Sequence, residues 1–188
     1  MDRDDPVRRF LIATAVAHYA KAPRWDRAGL VHARERIIEL FTGTLGYTHV
    51  DDLGLDPTRE QLTSRLRAFC RAPDRRPDDV LAVYVAAHGE VLEGSEDHVL
   101  LTADTDPDDV ADALPTVELA RRMLLDTPVR RLLLMLDTCY SGQGGSELTA
   151  AALTRMTRHW AGEAGTGRHH LRPARGTGER RRVPPTAG

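Results

Sequence analysis

Two stretches of this chain are apolar at almost every position. Asp79–Ala87 reads Val-Leu-Ala-Val-Tyr-Val-Ala-Ala after its first residue, and Arg131–Leu136 reads Leu-Leu-Leu-Met-Leu after its own. A strand with one wet face alternates apolar and polar residues, whereas a strand apolar throughout has to be covered on both sides. Helices packed on both faces of a mainly parallel sheet provide that cover. The rest of the chain supplies the parts. Arg8–Ala17 has the Ile, Val and Thr content of a buried strand, and His98–Thr102 is a shorter strand candidate. Leu30–Leu45 carries apolar residues at helical spacing, with Gly46 as its stop. Asp56-Pro57 reads as an N-cap and first-turn proline, opening a helix through Leu62, Leu66, Phe69 and Cys70. Val117–Leu125 and Glu147–Trp160 read as further amphipathic helices, and Lys21–Arg27 and the acidic Asp104–Asp112 as loops. The expected architecture is α/β, with a sheet between helical layers.

At 188 residues the chain has room for one sizeable domain. The pattern stops near Gly162, and the expected division is a folded domain over residues 1–162 and an Arg/Gly/Pro-rich, disordered tail over 163–188. No apolar run reaches the ~20 residues of a membrane span. The apolar run Phe10–Ala17 is too short, and too closely preceded by Asp2, Asp4 and Asp5, for an export signal. Two cysteines, Cys70 and Cys139, do not make a disulfide framework, so a reducing, cytoplasmic setting with free thiols is expected. All but one of the 26 basic residues are Arg, the composition of a GC-rich genome. The chain contains no Asn, which excludes any site built on that side chain. Nucleic-acid binding through the Arg-rich tail is the weaker reading, because no aromatic residues are interleaved with the charge.

The two apolar runs end alike. The first passes into His88-Gly89, the second into Asp137-Thr138-Cys139-Tyr140-Ser141-Gly142. Ligands of open α/β sheets bind beyond the carboxyl ends of parallel strands. If these strands are parallel neighbours, His88 and Cys139 emerge on one edge as a base and a nucleophile. A nearby imidazole can favour the thiolate or accept its proton during attack, and Gly89 and Gly142 let backbone N–H groups approach a developing oxyanion. Taken alone, Cys139 would read as a small core residue and His88 as a loop residue; both at strand ends, each beside a glycine in its motif, favour the pair. Other chemistries fit less well. A phosphatase loop would place Arg six residues after the cysteine, where Gly145 stands. A papain-type site needs Asn. Gly142-Gln143-Gly144-Gly145 lacks the Lys-Ser/Thr of a phosphate-binding loop. Asp104, Asp106 and Asp108 alternate as in a calcium loop, but Asp109 stands at the glycine position and Pro115 at the twelfth. A solvated acidic loop is the favoured reading, a looser calcium site the alternative. His169-His170 has no partner ligands in the sequence, and no metal site is expected there.

Val83-Tyr84-Val85-Ala86-Ala87-His88-Gly89 and Leu134-Met135-Leu136-Asp137-Thr138-Cys139-Tyr140-Ser141-Gly142 resemble the His-Gly and Asp-x-Cys-x-Ser-Gly motifs of caspase-like cysteine peptidases, closer to metacaspases and their bacterial relatives than to animal caspases. The resemblance runs from about Arg8 to Trp160. It implies a three-layer αβα fold with a mainly parallel sheet, here lacking its C-terminal strands. It implies a cysteine-type endopeptidase with Cys139 as nucleophile and His88 as proton-transfer partner. Gly89 and Cys139 would supply the oxyanion-hole N–H groups. Asp137 matches the family acid that lines the pocket for a basic residue, so cleavage after Arg or Lys of a protein or peptide is expected, without a cofactor. A catalytically inactive or truncated interaction domain is the alternative. Neither the physiological substrate nor the oligomeric state is readable from the sequence.

Overall fold

The computed structural model describes residues 6–92 and 97–138. Among these residues, seven strands and three α-helices follow one another as β1 (Arg9–Ala15), α1 (Gly29–Glu39), β2 (Thr48–His49), α2 (Arg59–Arg71), β3 (Val80–Ala87), β4 (Gly89–Val91), β5 (His98–Leu100), β6 (Leu114–Pro115), α3 (Thr116–Leu124) and β7 (Arg131–Thr138). The main sheet has the order β2-β1-β3-β7, and every pairing in it is parallel. A small antiparallel sheet, β4-β5-β6, follows directly from the end of β3.

The strand alternation divides the core in two. Ile12 of β1, Val16 just after it, and Leu81, Val83 and Val85 of β3 face α2 and α3, meeting Leu62, Leu66, Cys70, Leu119 and Met123. Leu11, Ala13 and Ala15 with Ala82, Tyr84 and Ala86 face the other way, toward Leu30, Ile37 and Ile38 of α1 and toward Phe41. Alanines dominate that second face, so α1 can lie close to the strands. This is the three-layer αβα arrangement with a mainly parallel sheet that the apolar strands demanded. Each fully buried Leu or Val adds roughly 1.5–3 kcal/mol of transfer free energy, and β3, buried along almost its whole length, collects that gain; β7, expected to be covered on both sides, instead stands at the edge of the described sheet, with Leu132 and Leu134 half-buried and Leu133 exposed.

Local details differ from expectation. The helix foreseen over Leu30–Leu45 begins at Gly29 and widens after Glu39 into a π-helical turn, Leu40–Thr44, closed by Leu45 N–H donating to Leu40 O. Gly46 follows at φ +69, as a stop residue should. The cap of α2 is Thr58, not Asp56. The Thr58 hydroxyl accepts from Gln61 N, and the Gln61 side chain accepts from Thr58 N, a reciprocal capping box. Asp56 sits just outside at φ +52, and its carboxylate accepts instead from the backbone N–H groups of Ala17 and His18. It therefore ties the end of β1 to the start of α2. The strand expected over Arg131–Leu136 extends to Thr138. The expected helix Glu147–Trp160 and the tail over 163–188 lie outside the described residues. None of the described helices is long and apolar enough to cross a membrane.

Candidate active site

Strands β3 and β7 pair in parallel over their full length, with Ala86 opposite Asp137 and Ala87 opposite Thr138. The next residue after Ala87 is His88 and the next after Thr138 is Cys139, so the two motifs leave the sheet at one edge. Cys139 itself lies outside the described residues, as do Ser141 and Gly142.

His88 is held on three sides. Its backbone N–H donates to the Tyr19 hydroxyl at 2.9 Å, and its carbonyl accepts from Leu101 N–H at 2.9 Å. The Tyr19 ring packs at 5.4 Å from the imidazole, and Trp25 packs edge-on against Tyr19 at 5.7 Å. The side chain makes one contact that decides its chemistry: Nε2 lies 2.8 Å from the carbonyl oxygen of Trp25. A carbonyl can only accept, so Nε2 carries the hydrogen and Nδ1 of the neutral ring holds the lone pair. The imidazole is thereby oriented by the backbone of the Pro23–Trp25 turn, with its basic nitrogen turned away from it. Sequence reasoning missed this partner, and no signal could have revealed it. A backbone carbonyl has no residue identity.

Gly89 begins β4 and is buried. A Cβ built there would lie 2.5 Å from His98 Nε2, 2.9 Å from His98 Cε1 and 3.0 Å from Thr138 Cβ. The residue is a glycine because two neighbouring elements close on its α-carbon. His98, on β5, is 8% exposed, and its Nδ1 lies 2.7 Å from the Thr116 hydroxyl at the start of α3. Burial pushes its pKa below the usual histidine value, so the ring is neutral.

Asp137 stands on the other face. The Tyr84 hydroxyl donates to its Oδ2 at 2.7 Å, and Tyr84 belongs to the core beneath α1. His88, in contrast, packs at a tilt against Tyr19, which belongs to the core beneath α2 and α3. Asp137 is exposed. The carboxylate therefore contacts a residue of one core and the imidazole a residue of the other, a division that spacing along the chain does not encode.

The remaining candidates fall elsewhere. Cys70 is fully buried on α2, and burial pushes its thiol up to about 12, outweighing the opposite pull of Arg75. It is a core residue, as its place on the apolar stripe suggested. The acidic loop lines a cavity of about 230 Å³ together with Lys21 and Arg59. Three of its carboxylates are engaged by protein donors. Asp104 accepts from Arg59 N and the Thr102 hydroxyl, Asp106 pairs with Lys21 at 3.0 Å and accepts from Asp108 N, and Asp112 pairs with Arg59 at 2.9 Å. Among the described residues, no three histidine, cysteine or acidic side chains converge as a metal ion would need.

A strand-end histidine with a fixed tautomer, a cramped glycine beside it and a cysteine motif on the paired strand together make a site suited to acyl transfer. The family profile described as Caspase domain matches residues 9–184, which takes in all of the described strands and helices and both motifs. No curated protein is similar enough to the chain to be matched. The chain belongs to the caspase-domain family of cysteine peptidases.

Proposed function

We propose that the protein is a cysteine-type endopeptidase that cleaves proteins or peptides after Arg or Lys, using Cys139 and His88. The observation that carries this reading is the hydrogen bond from His88 Nε2 to the Trp25 carbonyl, which leaves Nδ1 as the proton acceptor. In the reaction, the Cys139 proton passes to Nδ1 as sulfur forms a bond to the scissile carbonyl carbon. The carbonyl oxygen becomes an oxyanion, held by the N–H groups of Gly89 and Cys139. The His88 imidazolium then returns a proton to the departing amine as the C–N bond breaks. Water, deprotonated by the same nitrogen, releases the acyl group and regenerates the thiol. The exposed Asp137 carboxylate supports selection of a cationic side chain and repulsion of an acidic one. The chemistry calls for no cofactor, and the engagement of Asp104, Asp106 and Asp112 by protein donors supports activity unaffected by chelators. A free-thiol nucleophile suits a reducing, cytoplasmic setting.

The test is active-site titration with a peptidyl chloromethyl ketone ending in Arg, followed by mass mapping. Stoichiometric alkylation at Cys139 is expected, lost in Cys139→Ala, slowed about 10²–10⁴-fold in His88→Ala and retained in Cys70→Ala. Peptidase activity that survives Cys139→Ala would overturn the thiol mechanism. Folded protein that neither reacts nor cleaves would identify the domain as an inactive interaction module.

A further inference from the structure

We propose that Tyr84 is a positioning residue that orients the Asp137 carboxylate, and so sets the balance between arginine and lysine at the substrate residue before the scissile bond. The inference rests on the reading of Asp137 given above and deepens it. Tyr84 is 5% exposed and stands among Ala13, Ala82 and Ala86 on the face beneath α1. A phenylalanine would fill the same volume, so the hydroxyl is the informative part. Pairing in register places Met135 directly opposite Tyr84 and Asp137 one step further along the same face, within reach of a long side chain. The hydroxyl bridges that diagonal and donates to Asp137 Oδ2 at 2.7 Å. Burial and the neighbouring carboxylate both raise the tyrosine pKa, against a smaller opposing pull from Arg36, so the phenol stays protonated and remains a donor at all working pH values.

The consequence follows from the shapes of the two cations. A guanidinium grips a carboxylate best through two parallel N–H···O bonds, one to each oxygen, whereas an ammonium is a point charge satisfied by one. With Oδ2 already accepting from Tyr84, an arginine must share that oxygen, while a lysine can use Oδ1 alone. The tyrosine thus holds the carboxylate still and narrows the advantage of arginine. Tyr84 does not touch the reacting atoms, so its influence belongs in KM and not in kcat.

The experiment compares fluorogenic peptides that differ only by Arg or Lys before the scissile bond, on wild type, Tyr84→Phe, Asp137→Ala and the double variant. Tyr84→Phe is expected to raise the Arg:Lys ratio of kcat/KM about 3–10-fold, carried by KM with kcat unchanged, because both oxygens become available to the fork. In the Asp137→Ala background the same substitution is expected to leave the ratio unaltered. A purely structural role for the hydroxyl would alter both substrates equally, and a ratio within twofold of wild type in Tyr84→Phe overturns the proposal. If Asp137→Ala itself keeps the basic preference, the reading of Asp137 fails and the proposal with it. If Asp137→Ala abolishes the preference while Tyr84→Phe changes nothing, the role of Tyr84 alone is refuted. Should Tyr84→Phe fail to fold, 3-fluorotyrosine at position 84 keeps the ring and strengthens the donor. It is expected to shift the ratio toward lysine, and an unchanged ratio overturns the proposal as surely.

Discussion

A methyl group added at Gly89 would meet the His98 ring at 2.5 Å and Thr138 Cβ at 3.0 Å. The backbone at Gly89 is not left-handed, so alanine would be rejected for space and not for φ. The imidazole is the nearer obstacle, and it is anchored at its far side by Thr116. Gly89→Ala is therefore expected to lower kcat at least tenfold and up to about the hundredfold loss typical of a misplaced oxyanion donor. Adding His98→Ala should recover part of that loss, since it removes the two closest atoms. Steady-state kinetics of the single and double variants decide the matter, and a double variant no better than Gly89→Ala would show that Thr138 sets the limit. A sequence reader sees His-Gly as a motif. Only the packing explains why its second residue lacks a side chain.

The link between β1 and α2 shows how two neighbouring acceptors divide their work. Thr58 caps the helix, while Asp56, expected to do so, serves the end of β1 from a left-handed backbone. Thr58→Ala removes one cap and should destabilise the protein by about 1 kcal/mol. Asp56→Ala removes two backbone hydrogen bonds and places alanine at a positive φ, and about 2–3 kcal/mol is expected. Urea unfolding of both variants checks the order, and a larger loss at Thr58 would contradict it. Asp56-Pro57 was visible in the sequence as a helix-start signal, because capping chemistry is local. Which residue capped was settled by Ala17 and His18, 39 and 38 residues away from Asp56.

Across the whole molecule, stability should fall as the solution is acidified, in two steps. Burial lowers the pKa of His98, so below the ordinary histidine value near 6.5 the unfolded chain takes up a proton that the folded one refuses. His49 is lowered in the same way, whereas exposed His18 is raised by Asp56 and opposes the trend. At the foot of the sheet, burial raises the pKa of Asp79, but hydrogen bonds from Arg8 and Arg76 N–H and the charges of Arg8 and Arg75 bring it below the usual carboxylate range. Its contribution is complete above about pH 4 and is lost as pH falls through the depressed value. Urea midpoints between pH 7.5 and 3 should trace both declines, with His98→Gln flattening the upper one. Asp79→Asn should flatten the lower one and cost about 3 kcal/mol near neutrality, because it strands the arginines. Stability that rises between pH 7 and pH 5 would refute the first step. An independent check on the acidic loop is activity in EDTA, expected to equal that without it.

Although β7, equally apolar, stands at the edge of the described sheet with Leu133 exposed, the continuous apolar runs determined that β3 is an interior strand, that helices cover both faces, and that His88 leaves the sheet beside the cysteine motif. These follow from burial, which each residue type carries wherever it stands. The short strands β2, β4 and β6 were not legible, because two or three residues form a strand only when a neighbour supplies the hydrogen bonds. The working parts of the site were hidden for the same reason. Trp25 O lies 63 residues from His88 in the chain, and Tyr84 lies 53 from Asp137. A carbonyl that sets a tautomer and a hydroxyl that grips a carboxylate do so through distance and direction. Those quantities come into being only when the strands and turns that carry them are packed together.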